Sequence, residues 1–158
     1  MALVDGVTTA PDSRGIVQGN GGAQDKVAGG SGNDRLQGNA AFNQMYGGEG
    51  NDTFILSAKG AYGAGAHQGQ SSAFGDQFAY ITDFGGAGGY SSTNNDFLAL
   101  SGFGKASTLT LVDTHASGTP GALLLQYALT DSNTGAVFNI LINSVNGKTL
   151  GQGDYAFY

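Results

Sequence analysis

Cysteine is absent from this chain. Neither disulfides nor thiolate metal sites are available, so stability rests on packing and on any hard ion the chain holds. Basic residues are scarce too: Arg14, Lys26, Arg35, Lys59, Lys105 and Lys148 are scattered along the sequence. No basic stripe exists to neutralise phosphates, which argues against a nucleic-acid partner. The N-terminus lacks the basic region, apolar stretch and cleavage site of a secretory leader, and no apolar run approaches the roughly 18 residues of a membrane span. A cytoplasmic location and a signal at the other end of the chain both remain open. Only 11 % of residues are charged, and the net charge of −6 comes from a few acids in a neutral Ser/Thr/Asn/Gln/Gly background. At 158 residues, one continuous domain is expected.

Glycine, in contrast, is abundant: 29 residues, without a collagen period or a proline-rich linker pattern. It is concentrated in a repeat. Gly29–Gln37 and Gly47–Ile55 both read G-G-x-G-x-D-x-U-x, where U is a large apolar residue, and they lie 18 residues apart. Between them Gly38–Tyr46 keeps the first glycine and the apolar position but has Asn43 in place of the acid, and Asn20–Ala28 keeps Asp25 and Val27. Val27, Leu36, Met45 and Phe54 are therefore spaced by nine, as are Asp25, Asp34, Asn43 and Asp52.

The glycine half of each unit is a turn in which positive φ is tolerated and carbonyls converge without a Cβ between them. The x-U-x half is a short strand with U pointing inward. Two units close one coil, so turns 18 residues apart stack on one side of a roll. Carbonyl and carboxylate oxygens from adjacent turns then surround an ion, and a donor set without nitrogen or sulfur suits Ca²⁺ better than Zn²⁺ or Mg²⁺.

This pattern resembles the RTX family of nonapeptide β-rolls, whose consensus it reproduces. The resemblance implies Ca²⁺ between stacked turns. Carried over residue by residue, Gly30, Gly32 and Asp34 with Gly48, Gly50 and Asp52 form the best site. On the opposite side Asp25 faces Asn43, an amide where a carboxylate belongs, and the ion would be held less tightly, or not at all.

The nonapeptide stops after Ile55. Residues 57–75 read as a Gly/Ala/Ser/Gln loop, and 76–158 as short strands at Gln77–Thr82, Asp96–Ser101, Thr108–Asp113, Ala122–Thr130, Ala136–Val145 and Tyr155–Tyr158. The runs Tyr80–Phe84, Asn95–Phe103, Ala122–Thr130 and Ala136–Asn143 are similar to the C-terminal cap of RTX modules in bacterial alginate epimerases and serralysin-type metalloproteases. The sequence departs from that pattern at Ala79, where the family usually has Asp. Asp76, Asp83 and Asp96 either close a final calcium site or cap strands. The ending Gly153–Tyr158 looks like the uncleaved C-terminal signal of type I secretion substrates.

The fold class expected is all-β: an N-terminal segment (1–18) able to pair with a neighbour's edge, a parallel β-roll (19–56), a loop (57–75) and an antiparallel β-rich C-terminal cap (76–158), together forming a single domain. No catalytic constellation is present. His67 lies in the glycine-rich loop, His115 follows a strand beside Asp113, Glu49 is the single glutamate, and a metalloprotease His-Glu-x-x-His is lacking. The chain reads as a non-enzymatic, secreted calcium binder. Two roles compete. One is a structural or adhesive subunit of a matrix, fibre or surface layer that self-associates, motivated by a repeat module that starts at Met1 with nothing before it. The other is an accessory module that binds an acidic polysaccharide and assists secretion of an enzyme.

Overall fold

The computed structural model describes residues 7–8, 16–18, 24–38, 42–62, 78–89 and 94–158. The chain alternates between two sheets. Its first three coils are β1 (Val7–Thr8) with β2 (Ile16–Gln18), β3 (Gln24–Ser31) with β4 (Arg35–Gly38), and β5 (Phe42–Glu49) with β6 (Thr53–Ser57). A short helix α1 (Ala58–Ala61) follows, and β7 (Ala79–Phe84) with β8 (Phe97–Ser101) makes a fourth coil. The antiparallel strands β9 (Thr108–Ala116), β10 (Leu123–Thr130) and β11 (Val137–Ser144) lead to β12 (Tyr155–Phe157). One sheet runs β1-β3-β5-β7-β11-β10-β9 and the other β12-β8-β6-β4-β2.

The nine-residue period explains this register. Val27 pairs with Met45 and Leu36 with Phe54, each eighteen residues on, so that every coil places the same apolar position over the last. The stacks continue beyond the repeat. In one sheet Val27, Met45, Ile81 and Ile142 are in register and fully buried; in the other Leu36, Phe54, Leu98 and Tyr155 line up. Inward stacking of large apolar side chains is what a parallel roll requires, and it contributes about 1.5–3 kcal/mol for each one fully buried.

The roll is therefore longer than the sequence pattern indicates. The expected cap at 76–158 is in part roll: β7 and β8 pair in parallel with β5 and β6, and β11 and β12 add a fifth coil. Among the described residues, only β9, β10 and β11 pair antiparallel. Apolar stacking propagates the parallel ladder even where the turns lose their glycine consensus.

The expected loop at 57–75 also begins differently, with α1. The Ser57 hydroxyl accepts the Gly60 N–H at 3.2 Å as an N-cap, and Ala58, Gly60 and Ala61 are small enough to bury against the core. After it, Tyr62 packs edge-on against Phe138, with ring centroids 5.2 Å apart, and its hydroxyl donates to Asp131 at 2.6 Å. Asp131, buried, also accepts the N–H groups of Gly104 and Asn133 at 2.9 and 3.0 Å. Burial alone would raise its pKa, but these bonds together hold it below the ordinary aspartate value. One carboxylate thus ties α1, the β8–β9 connection and the β10–β11 turn.

His115 lies within β9 rather than after it, 3.3 Å from the Asp113 carboxylate on a largely exposed strand. His67, Asp76, positions 63–75 and most of the N-terminal segment fall outside the described residues. Among the described residues, no helix is long and apolar enough to cross a membrane.

Candidate metal centre

On one side of the roll the β3–β4 turn, ending in Asp34, lies beneath the β5–β6 turn, ending in Asp52. Gly30 and Gly48 are in register, and Gly30, Gly32, Gly48 and Gly50 have φ of 125°, 110°, 102° and 126°. Positive φ is only half of the reason for glycine. A Cβ on Gly48 would overlap the carbonyl oxygen of Gly30, and one on Gly50 the carbonyl oxygen of Gly32. Carbonyls of the lower turn therefore press directly against the backbone of the upper one. The first glycine of each unit has a separate function. The place of its Cβ is taken by the carboxylate of its own turn, Asp34 at Gly29 and Asp52 at Gly47.

Asn and Asp side chains join the turns. The Asp34 N–H donates to Asp52 Oδ1 at 2.8 Å, and the Asn51 N–H to Asn33 Oδ1 at 2.8 Å. The other oxygens, Asp34 Oδ2 and Asp52 Oδ2, are buried and take no hydrogen bond. A buried anionic oxygen without a donor is unfavourable by roughly 1–3 kcal/mol or more. Burial foremost, with the negative charges of Asp34 and Asp83, raises the Asp52 pKa against the Asp34 N–H that lowers it. Burial likewise raises Asp83, and it raises Asp96, helped by the Asp52 and Asp83 charges, to about 7. Anionic oxygens and carbonyls crowded together without donors fit a hard divalent cation, which would satisfy the orphaned oxygens. Asp34 and Asp52 would supply its charge. Among the described residues no three acid or histidine side chains gather into one metal-binding group, so backbone carbonyls of the turn glycines would complete the shell.

The remaining residues singled out in the sequence are placed as follows. Asp25 and Asn43 are in register on the opposite side of the roll, both buried. The Asn43 side chain fills the space beside Gly38 and donates to the Phe78 carbonyl at 3.4 Å. Asp83 and Asp96 belong to the Asp34–Asp52 side. Asp83 accepts the Gly47 and Gly48 N–H groups at 2.9 and 2.8 Å; Asp96 accepts those of Asp52 and Gly85 at 2.9 and 2.7 Å.

Two features went unread in the sequence. The Asn-Asp pair at 33–34 recurs at 51–52 and 95–96, and the three stack: the Asn95 N–H donates to Asn51 Oδ1 at 2.8 Å. That recurrence was the available signal for Asp96's place in the row. Asp154, buried before β12, accepts the Gly88 and Gly151 N–H groups at 2.7 and 2.6 Å and closes the last turn on this side. Its position just before a strand, like Asp34 and Asp52, was its only mark.

Residues 28–58, which contain both stacked turns, match the family model of the RTX calcium-binding nonapeptide repeat, a model that spans four copies of the unit. A search of curated proteins finds no match. Nonapeptide repeats of this kind bind calcium, and calcium is thus the ion for which the row of turns is built.

Proposed function

We propose that the chain is a secreted, non-catalytic calcium-binding protein that completes its fold on Ca²⁺ outside the cell and serves as a structural or adhesive subunit. The observation that carries the calcium half is the pair of buried, donor-less oxygens, Asp34 Oδ2 and Asp52 Oδ2, in two stacked turns where the carbonyls of the lower abut the backbone of the upper. Without an ion these oxygens stay unsatisfied and the glycine-rich turns lose much entropy on ordering, so binding and ordering of the repeat are coupled. Extracellular-type calcium sites work at about 10⁻⁴ to 10⁻³ M, far above cytosolic levels, which keeps the repeat open during export and closes it afterwards.

Support for the subunit role comes from the sheet edges. Among the described residues the sheets end in β1 and β9 and in β2 and β12, and nine-residue β9 carries one acid, Asp113. Edges so poorly protected by charge favour pairing with another copy. Sedimentation and electron microscopy with and without calcium test this: calcium-dependent polymers are expected, and monomers alone at high concentration in calcium contradict it.

A groove of about 350 Å³ favours a second reading, that of an accessory polysaccharide-binding module. It lies on the outer face of the β4-β6-β8 sheet, with Ile55 and Ala99 in its floor, Arg35 and the aromatics Phe97 and Tyr158 in its walls. Aromatic faces stack on sugars and the guanidinium pairs with a carboxylate. Binding of a polyuronate in calcium, lost in Arg35→Ala, would favour this role.

A further inference from the structure

The Asp52 turn has two neighbours, and its joints to them are chemically unlike. Toward the Asp34 turn, Asp52 Oδ1 takes one amide while Asp52 Oδ2 and Asp34 Oδ2 take none. Toward the fourth coil, every carboxylate oxygen is matched by an amide. Asp83 Oδ1 and Oδ2 receive the Gly47 and Gly48 N–H groups, and Asp96 Oδ1 and Oδ2 receive those of Asp52 and Gly85. Four amide hydrogens directed into this joint make it a seat for anionic oxygen and a poor one for a cation, whose charge they would oppose.

We infer that Asp83 and Asp96 are positioning residues rather than calcium ligands: they lock the Asp52 turn onto the fourth coil without an ion, leaving the joint between the Asp34 and Asp52 turns for calcium to close. The inference rests on the calcium reading and refines it. Asp52 is the pivot, since its N–H is held from above by Asp96 while its carboxylate faces the ion below. The fourth coil that supports the lock is tightly packed, with Phe78, Ile81, Phe84 and Leu98 fully or almost fully buried in the core it shares with the C-terminal strands and the repeat. The platform thus orders one side of the calcium joint in advance, and the entropy cost left to binding falls mainly on the coil 24–38.

Two measurements on the full chain decide it. Amide hydrogen exchange in chelator is expected to show Gly47, Gly48 and Asp52 protected and the coil 24–38 exchanging fast. Calorimetric calcium titration of Asp83→Ala and Asp83→Asn is expected to give the wild-type number of ions per chain, with the midpoint raised about tenfold in Asp83→Ala, which loses two charge-assisted bonds. Asp83→Asn keeps one acceptor and should fall between, with Gly48 or Gly47 protection retained singly. One bound ion fewer in either variant, or fast exchange of the Gly47 and Gly48 amides in chelated wild type, overturns the inference. If Asp83→Ala fails to fold, Asp83→Asn and the wild-type exchange pattern still decide. No calcium uptake by the wild type would instead overturn the calcium reading itself.

Discussion

Glycines in the stacked turns answer to two different constraints, and substitution separates them. Gly30 has φ 125° with open space where a Cβ would go, whereas Gly48, at φ 102°, has the Gly30 carbonyl oxygen there. Gly30→Ala should therefore cost about 1–3 kcal/mol of backbone strain. Gly48→Ala carries that strain and a backbone overlap as well, so it should lower the unfolding midpoint in calcium by clearly more. Equal losses in chemical denaturation would mean that the turns do not stack this closely. The carboxylates supply a second expectation. Asp52, Asp83 and Asp96 have folded-state pKa values above the unfolded value of 3.8, Asp96 reaching about 7. The calcium-free fold binds more protons than the unfolded chain between those limits, so its stability falls as pH rises from about 4 through 7. Calcium needs Asp52, its ligand among the three, in the ionised form, and its midpoint should fall as pH rises. Urea midpoints in chelator and calcium titrations at about pH 5 and pH 8 check both trends; a calcium midpoint indifferent to pH would contradict this account of the row.

At the scale of elements, the clamp on Asp131 stands apart from the ion. Removing the Tyr62 hydroxyl in Tyr62→Phe leaves the Phe138 contact and deletes both the charge-assisted bond to Asp131 and the hydroxyl's bond with Thr134, for an expected loss of about 1.5–3 kcal/mol. The loss should be the same with and without calcium in thermal unfolding. A calcium-dependent loss would tie α1 to the repeat. Much of the element order could be read in advance. The apolar residues Val27, Leu36, Met45 and Phe54 announce four coil strands, and alternation marks most of those that follow. The continuation of the roll through β7, β8, β11 and β12 was hidden because it rests on stacking between strands far apart in sequence, as in Met45 with Ile81, across an insertion. The short α1 was hidden by its glycine-and-alanine composition. The Asp34–Asp52 pairing was legible because its partners share one period. The partners of Asp83 and Asp96 were not, since they are backbone amides 11 to 44 residues away, on which no side-chain pattern bears.

The molecule as a whole is a roll whose C-terminal coils are held by apolar packing and internal hydrogen bonds, and whose N-terminal repeat is completed by an ion. The core supports this division. The C-terminal half supplies a cluster of touching rings, Phe78, Phe103 and Phe138, with centroids 5.7 to 6.5 Å apart, whereas the repeat adds Val27, Leu36, Met45, Phe54 and Leu56 among many glycines. Assembly into polymers, if calcium-dependent, would follow completion of the roll. Closure of the Asp34–Asp52 joint by calcium is read out by a calcium titration of the wild type and of Asp34→Asn, followed by far-UV circular dichroism and calorimetry. A calcium-driven gain of β signal with ion uptake, shifted to higher calcium in Asp34→Asn, is the expected result. An unchanged spectrum without uptake, or a midpoint untouched by Asp34→Asn, would contradict it.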